Sequence, residues 1–297
     1  MANTINSDLH NNIISQSALE QFTSILAPLG AFSASFNDEA AQRGKTISIP
    51  TLSNTSSAAN FSGSYADQDT TYGVTQITLN KHKYVSWHIT DTEESQSSAV
   101  ELERFGYQKG GDLAKAVFQD ILGEVTNANY SSKITVTAND FDADEVADLR
   151  EDGLDANLYP DQCALVLSNT YFTSLLKDTD ISHAMNYGSA EVVQGGRVPS
   201  LYGIKGIYES NSIPANSEDL QGFYAHPSSL AVAMRYLEPL NSQEYISARR
   251  LFDESTGMVM GYREFYTPST GVQTAVLECV YGMKVAVSEN LIRIVAS

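Results

Sequence analysis

Two segments with the period-two alternation of β-strands, residues 46–50 (Ile47 and Ile49 on one face) and 74–79, are separated by a long polar insertion. The insertion, residues 51–73, is rich in Ser, Thr, Asn and Ala, with Phe61, Tyr65 and Tyr72 spaced through it. Structureless loops beyond roughly 12–15 residues are uncommon in compact domains. A solvated tether has little use for three aromatic rings. The segment is therefore expected to be an excursion from the domain that lies on another surface, and this restricts the architectures open to the chain.

Upstream, Ile14, Ala18, Phe22, Ile25 and Leu26 form one apolar helical stripe that Pro28 and Gly30 terminate. The polar run 33–44 separates this helix from the next periodic element, so it reads as an arm that docks elsewhere. Downstream, 84–89 alternates with Val85, Trp87 and Ile89 on one side, and Asn80, Lys81, His82 and Lys83 have the length of a turn closing a hairpin with 74–79. Ser98 and Glu101 fit a capping box opening a long helix to about Asn127. Gly110-Gly111 within it predicts a bend or a close backbone crossing.

The remainder is α/β in character and then strand-rich. Residues 140–155 read as an acidic helix, 164–167 as a buried strand capped by Ser168, and Tyr171, Phe172, Leu175 and Leu176 as the inner face of a short helix. Residues 203–208 read as a strand, and 222–224 as leading into a helix with Pro227 near its start and Leu230, Met234 and Leu237 inward. Strands are expected over 245–252, 258–266, 272–287 and 291–295, with a turn at 267–271.

Charge and motifs exclude several function classes. The 297 residues carry 18 Lys plus Arg against 36 Asp plus Glu, a formal charge of −18 that disfavours a sequence-reading nucleic-acid binder. No signal peptide is legible at the start, and no apolar run reaches the roughly 18 residues of a membrane-spanning helix. Cys163 and Cys279 sit in apolar runs and read as core thiols. Asp140, Asp142, Asp144, Asp148 and Glu151 match calcium-loop positions, but Glu145 stands where that loop needs Gly, and acids at a helix start suit the macrodipole. The histidines, at 10, 82, 88, 183 and 226, lack metal-site spacing, and His226 before Pro227 reads as a helix cap. No nucleophile elbow, phosphate loop or dinucleotide fingerprint is present, so no catalytic, metal or cofactor site is expected.

The order of elements resembles a tailed-bacteriophage major capsid protein of the Hong Kong 97 type. The segments 44–50 and 83–91 look like the two sides of that family's extended loop (E-loop), 98–127 like its spine helix, and 164–172 and 282–287 like segments of its axial and peripheral domains. The resemblance implies an α+β fold with an N-terminal arm at 1–44, the extended loop at 45–93 and a peripheral domain with the spine helix at 94–140. An α/β axial domain would follow at 141–256, then peripheral strands at 257–285 and a C-terminal strand returning to the axial domain at 286–297.

It further implies a homo-oligomer of pentamers and hexamers closing into an icosahedral shell around double-stranded DNA. That shell would be a virion capsid assembled in the bacterial cytoplasm, with a portal, a separate scaffolding protein and a decoration protein as candidate partners, no sequence-specific DNA binding and no membrane. Subunit-interface candidates are Ile14, Phe22 and Leu26 of the arm, Phe61, Tyr65 and Tyr72 of the loop, Trp87, and Pro268 in the last turn. Some family members crosslink subunits through a loop lysine; here 51–73 has no Lys, so non-covalent closure is expected. An encapsulin-like nanocompartment shell is the nearest alternative. A cytoplasmic hydrolase with a dispersed triad and a β-rich adhesin are more distant ones.

Overall fold

The computed structural model describes residues 7–36, 46–52, 60–61, 63, 72–96, 99–178, 181, 198, 201–241, 244–253 and 257–297. Its described helices are α1 (Ser7–Leu26), α2 (Leu29–Phe32), α3 (Asp91–Gln96), α4 (Ala99–Leu122), α5 (Ala143–Asp155) and α6 (Asn169–Lys177). The strands are β1 (Ser33–Phe36), β2 (Thr46–Leu52), β3 (Tyr72–Thr78), β4 (Lys81–Thr90), β5 (Lys133–Thr135), β6 (Ala164–Leu167), β7 (Gly206–Glu209), β8 (Leu220–Ala225), β9 (Leu230–Arg235), β10 (Ser247–Phe252), β11 (Val259–Thr267), β12 (Val272–Val285) and β13 (Leu291–Val295).

They form three sheets. The first has the order β1-β9-β12-β11-β10, and its 14-residue strand β12 also pairs β4 over Val272–Tyr281 before pairing β9 over Val280–Val285. The second, β5-β13-β8-β6-β7, is mixed parallel and antiparallel, with α5 and α6 in the connections between its strands. The third is the two-stranded ribbon β2–β3, in register from Thr46↔Thr78 to Leu52↔Tyr72.

The stripe Ile14, Ala18, Phe22 and Leu26 is buried against α4, in one core with Leu113, Val117, Phe118 and Ile121. The arm thus docks on its own long helix. The approach is close because a Cβ on Gly106 would sit 2.6 Å from the Ile14 carbonyl oxygen, and one on Gly110 would collide with the Ala18 backbone. The crossing anticipated at the glycine pair exists, with its centre displaced one turn to Gly106 and Gly110. Under the second sheet a separate core gathers Val146, Leu149, Leu165, Leu167, Phe172 and Ile294.

Two sequence expectations are corrected. β4 does not close a hairpin with β3; it pairs β12, and among the described strands β2 is the one that pairs β3. The second side of the extended excursion is therefore β3, and 83–91 belongs to the first sheet, because the Val85–Trp87–Ile89 face has the α4 core to cover. Residues 230–235 are strand β9, not a helix: sandwiched between β1 and β12, the run is apolar on both faces, a pattern that period alone cannot separate from a buried helix. His226 accordingly stands in a turn, accepting from the Ser229 amide at 2.9 Å, rather than at a helix start. Ser98 of the anticipated capping box lies outside the described residues.

Candidate functional site

The acidic stretch resolves into helix capping. The Asp142 carboxylate accepts from the amides of Asp144 (2.9 Å) and Glu145 (3.4 Å), and Asp178 accepts from Ala143 at 2.9 Å. Among the described residues no group of three His, Cys, Asp or Glu side chains converges as metal ligands would. Both thiols are buried; burial pushes Cys163 up, and burial together with Glu278 pushes Cys279 up to about 12, so neither is a poised thiolate. A cleft of about 360 Å³ lies where the end of α1 and Phe118 meet the residues following β7, and Glu209 is its single charged wall residue. No described helix is long and apolar enough to cross a membrane.

The surface is more informative. The ribbon β2–β3 is anchored at its base, where Ile47 faces Ile77 and both are buried with Leu79, Ala231, Ala233 and Val280. Beyond that base Val74 is 64% exposed, and in the excursion Phe61 is 66% exposed. Tyr72 opens β3 opposite Leu52, and Tyr65 lies outside the described residues. Pro268 is exposed in the β11–β12 turn, whose Gly271 carbonyl accepts from the Asp91 amide at 3.2 Å while the Tyr266 hydroxyl donates to Asp91 at 2.9 Å.

The remaining candidates lie inside. Ile14, Phe22 and Leu26 are buried on α4, and Trp87 is 3% exposed, edge-on to Phe105 at 5.8 Å. Their burial is accounted for within the chain. Lys81 and Lys83, expected in a free turn, open β4 and reach Asp120 of α4 at 3.6 and 3.0 Å. Burial alone would raise the Asp120 carboxyl, but the Tyr281 hydroxyl at 2.7 Å and the two lysines hold it below the usual range.

The sequence reading missed the opposite face of the first sheet. Tyr84, in register with Glu278, is 64% exposed there, and Glu278 pairs with Arg263 (2.6 Å) and His82 (3.0 Å) across three strands. Tyr245 packs edge-on to Phe265 on this sheet, and Arg250 lies over the exposed ring of Phe252. The available signal was parity: Tyr84 alternates with Val85 and Trp87, so an aromatic ring on the polar side could have been noted.

No family model and no curated protein match the sequence. Solved structures do. A structure from Mycobacterium phage Che8 is 17% identical, with 91% of this chain and 90% of that one covered at a TM-score of 0.58. The capsid of cyanophage P-SCSP1u is 15% identical over 90% and 86% of the two chains, with a TM-score of 0.59. A virus-like particle from Pyrococcus furiosus is 10% identical over 95% and 97%, with a TM-score of 0.55. The likeness extends over nine tenths of the chain: it has the Hong Kong 97-type α+β capsid fold of tailed-phage shells.

Proposed function

We propose that the chain is the major capsid (coat) protein of a tailed bacteriophage, forming pentamers and hexamers that close into an icosahedral shell around double-stranded DNA. The observation that carries this reading is the β2–β3 ribbon on a capsid-type fold. A lone two-stranded ribbon is marginal in water, and among its described residues Ile47 and Ile77 at the base are buried while Phe61 and Val74 stand exposed. A neighbouring subunit supplies the missing surface, with Phe61, Tyr65 and Tyr72 as the contacting rings and Pro268 at a second contact. Ile14, Phe22, Leu26 and Trp87 serve assembly indirectly, by holding the arm and β4 on the spine helix. The axial unit corresponds to the second sheet and the peripheral unit to the first.

The charge of −18 suits a container filled by a packaging motor, since an acidic inner wall keeps DNA from adhering. A portal, a separate scaffolding protein and a decoration protein are its partners in this reading, and the virion its location, after assembly in the bacterial cytoplasm. A nanocompartment shell is the second reading, favoured by the likeness to the Pyrococcus furiosus virus-like particle.

The test is expression of the chain alone, followed by negative-stain electron microscopy and sedimentation in low and high salt. Closed shells or five- and six-membered rings are expected. A species that stays monomeric at every salt concentration, also with its genomic neighbours co-expressed, overturns the proposal. Nuclease-protected DNA inside native particles supports the phage reading, and an enzyme cargo the nanocompartment.

A further inference from the structure

The two large sheets are joined by two short crossovers that run side by side. Residues 226–229 lead from β8 in the second sheet to β9 in the first, and 286–290 return from β12 to β13. Because Ala225 pairs Leu291 and Leu230 pairs Val285, the crossovers form one antiparallel ribbon passing between the sheets. The return strand carries an extra residue, absorbed by a 3₁₀ turn at Ser288–Asn290. Such a bulge kinks a ribbon and interrupts its ladder. Two backbone bonds cross it, from the His226 amide to the Asn290 carbonyl and from the Ala286 amide to the Ser229 carbonyl, both at 3.0 Å.

Side chains complete the junction. The Ser228 amide donates to His226 Nδ1 at 3.2 Å and the Ser228 hydroxyl lies 2.7 Å from the same nitrogen, while Asn290 Nδ2 donates to Ser228 Oγ at 2.6 Å. His226 Nε2 lies 3.2 Å from Gln162 Oε1, ahead of β6. An amide proton on Nδ1 requires that nitrogen to be an acceptor, so the ring is neutral with its proton on Nε2, donated to Gln162.

We propose that this paired crossover is a hinge between the two sheets, latched by His226, Ser228 and Asn290, and that protonation of the His226 ring releases the latch. A second ring proton on Nδ1 turns the acceptor into a donor. The Ser228 amide then loses its acceptor and faces a donor, and the Ser228 hydroxyl has to turn from donating to Nδ1 to accepting from it beside Asn290 Nδ2. The charge of Lys205, just ahead of β7, bears on the ring; Gln162 and Ser228, which face it, are neutral. Asp161, beside Gln162, acts instead on Cys163 and Tyr224. Burial, and after it the Lys205 charge, hold the ring below the ordinary histidine range. The latch is therefore closed at neutral pH; it weakens as pH falls below the unfolded value of about 6.5, until the folded ring itself is protonated. The hinge belongs to the subunit and does not depend on shell formation.

Amide hydrogen exchange on the full chain, at about pH 5 and about pH 8 and corrected for intrinsic rates, tests it. Acid is expected to raise exchange at Ser228, Ser229 and Ala286 by about tenfold, leaving core amides such as Val166 and Leu277 protected. His226→Gln, neutral at both pH values, is expected to abolish the difference. Ser228→Ala keeps the ring but cuts the link to Asn290, and is expected to raise exchange at Ala286 already at neutral pH. Equal protection of the wild type at both pH values, or an acid response undiminished in His226→Gln, would overturn the proposal.

Discussion

At Gly110 the absence of a side chain sets how closely two helices meet. The Ala18 backbone occupies the space a Cβ would need, so Gly110→Ala must push α1 off α4. A loss of about 1–3 kcal/mol is expected from such overpacking, read as a lower midpoint in urea unfolding; an unchanged midpoint would show that the crossing has slack. Asp142 is a second position where one side chain sets an element, and Asp142→Ala should remove about 1 kcal/mol by uncovering two amides of α5. Both positions were visible in the sequence as a glycine pair inside a helix and acids before an apolar period. What the glycines cross was not visible, because the Ala18 backbone is remote in sequence and carries no local mark.

Among the elements, β4 is tied to the spine helix at the carboxylate of Asp120. Asp120 gathers Tyr281, Lys83 and Lys81, and its depressed pKa makes the contribution dependent on pH. The sign follows from linkage: the stabilisation is complete above the unfolded carboxylate range, about 3.9, and is lost as pH falls through the lower folded value. Denaturant midpoints measured from neutral to acid pH should fall less steeply for Asp120→Asn than for the wild type; parallel profiles would remove the linkage. Of the elements most misjudged from sequence, β4 was expected as a strand but with the wrong partner, and β9 was expected as an apolar run but of the wrong type, a helix. For β4, a short turn after β3 suggested a hairpin, whereas the face carrying Trp87 had a larger apolar surface to cover against α4 and Tyr262. For β9, Leu230 to Arg235 is buried on both faces, which erases the alternation that marks a strand.

For the whole molecule, Arg293 ties the C-terminal strand to the turns that follow the spine helix. Fully buried, it donates to the Tyr130 carbonyl (2.8 Å) and Asn127 (2.7 Å) and pairs with Glu218, while Asn216 caps the helix end through the Leu122 and Val125 carbonyls. Removing one member of a buried pair leaves the other uncompensated, so Arg293→Met should cost about 3–5 kcal/mol in equilibrium unfolding. Phe61→Ala should behave oppositely, sparing the subunit's melting temperature while reducing the yield of closed particles by sedimentation, since its ring is 66% exposed in the isolated chain. Assembly should also improve with salt, because subunits each carrying −18 repel until the screening length falls from about 10 Å at 0.1 M towards about 3 Å at 1 M.

By itself the sequence determined the elements whose period and punctuation agree: the arm stripe, the long helix with its glycines, the buried strand Ala164–Leu167 and the terminal strand Leu291–Val295. These depend on contacts between near neighbours, and such contacts leave a pattern along the chain. Only the tertiary structure decided that the arm lies on its own spine helix, that β12 is shared between β4 and β9, and that two short crossovers form one ribbon between the sheets. Strand partners and helix docking are chosen by competition among apolar surfaces far apart in sequence, and that competition is settled by total burial rather than by any local pattern.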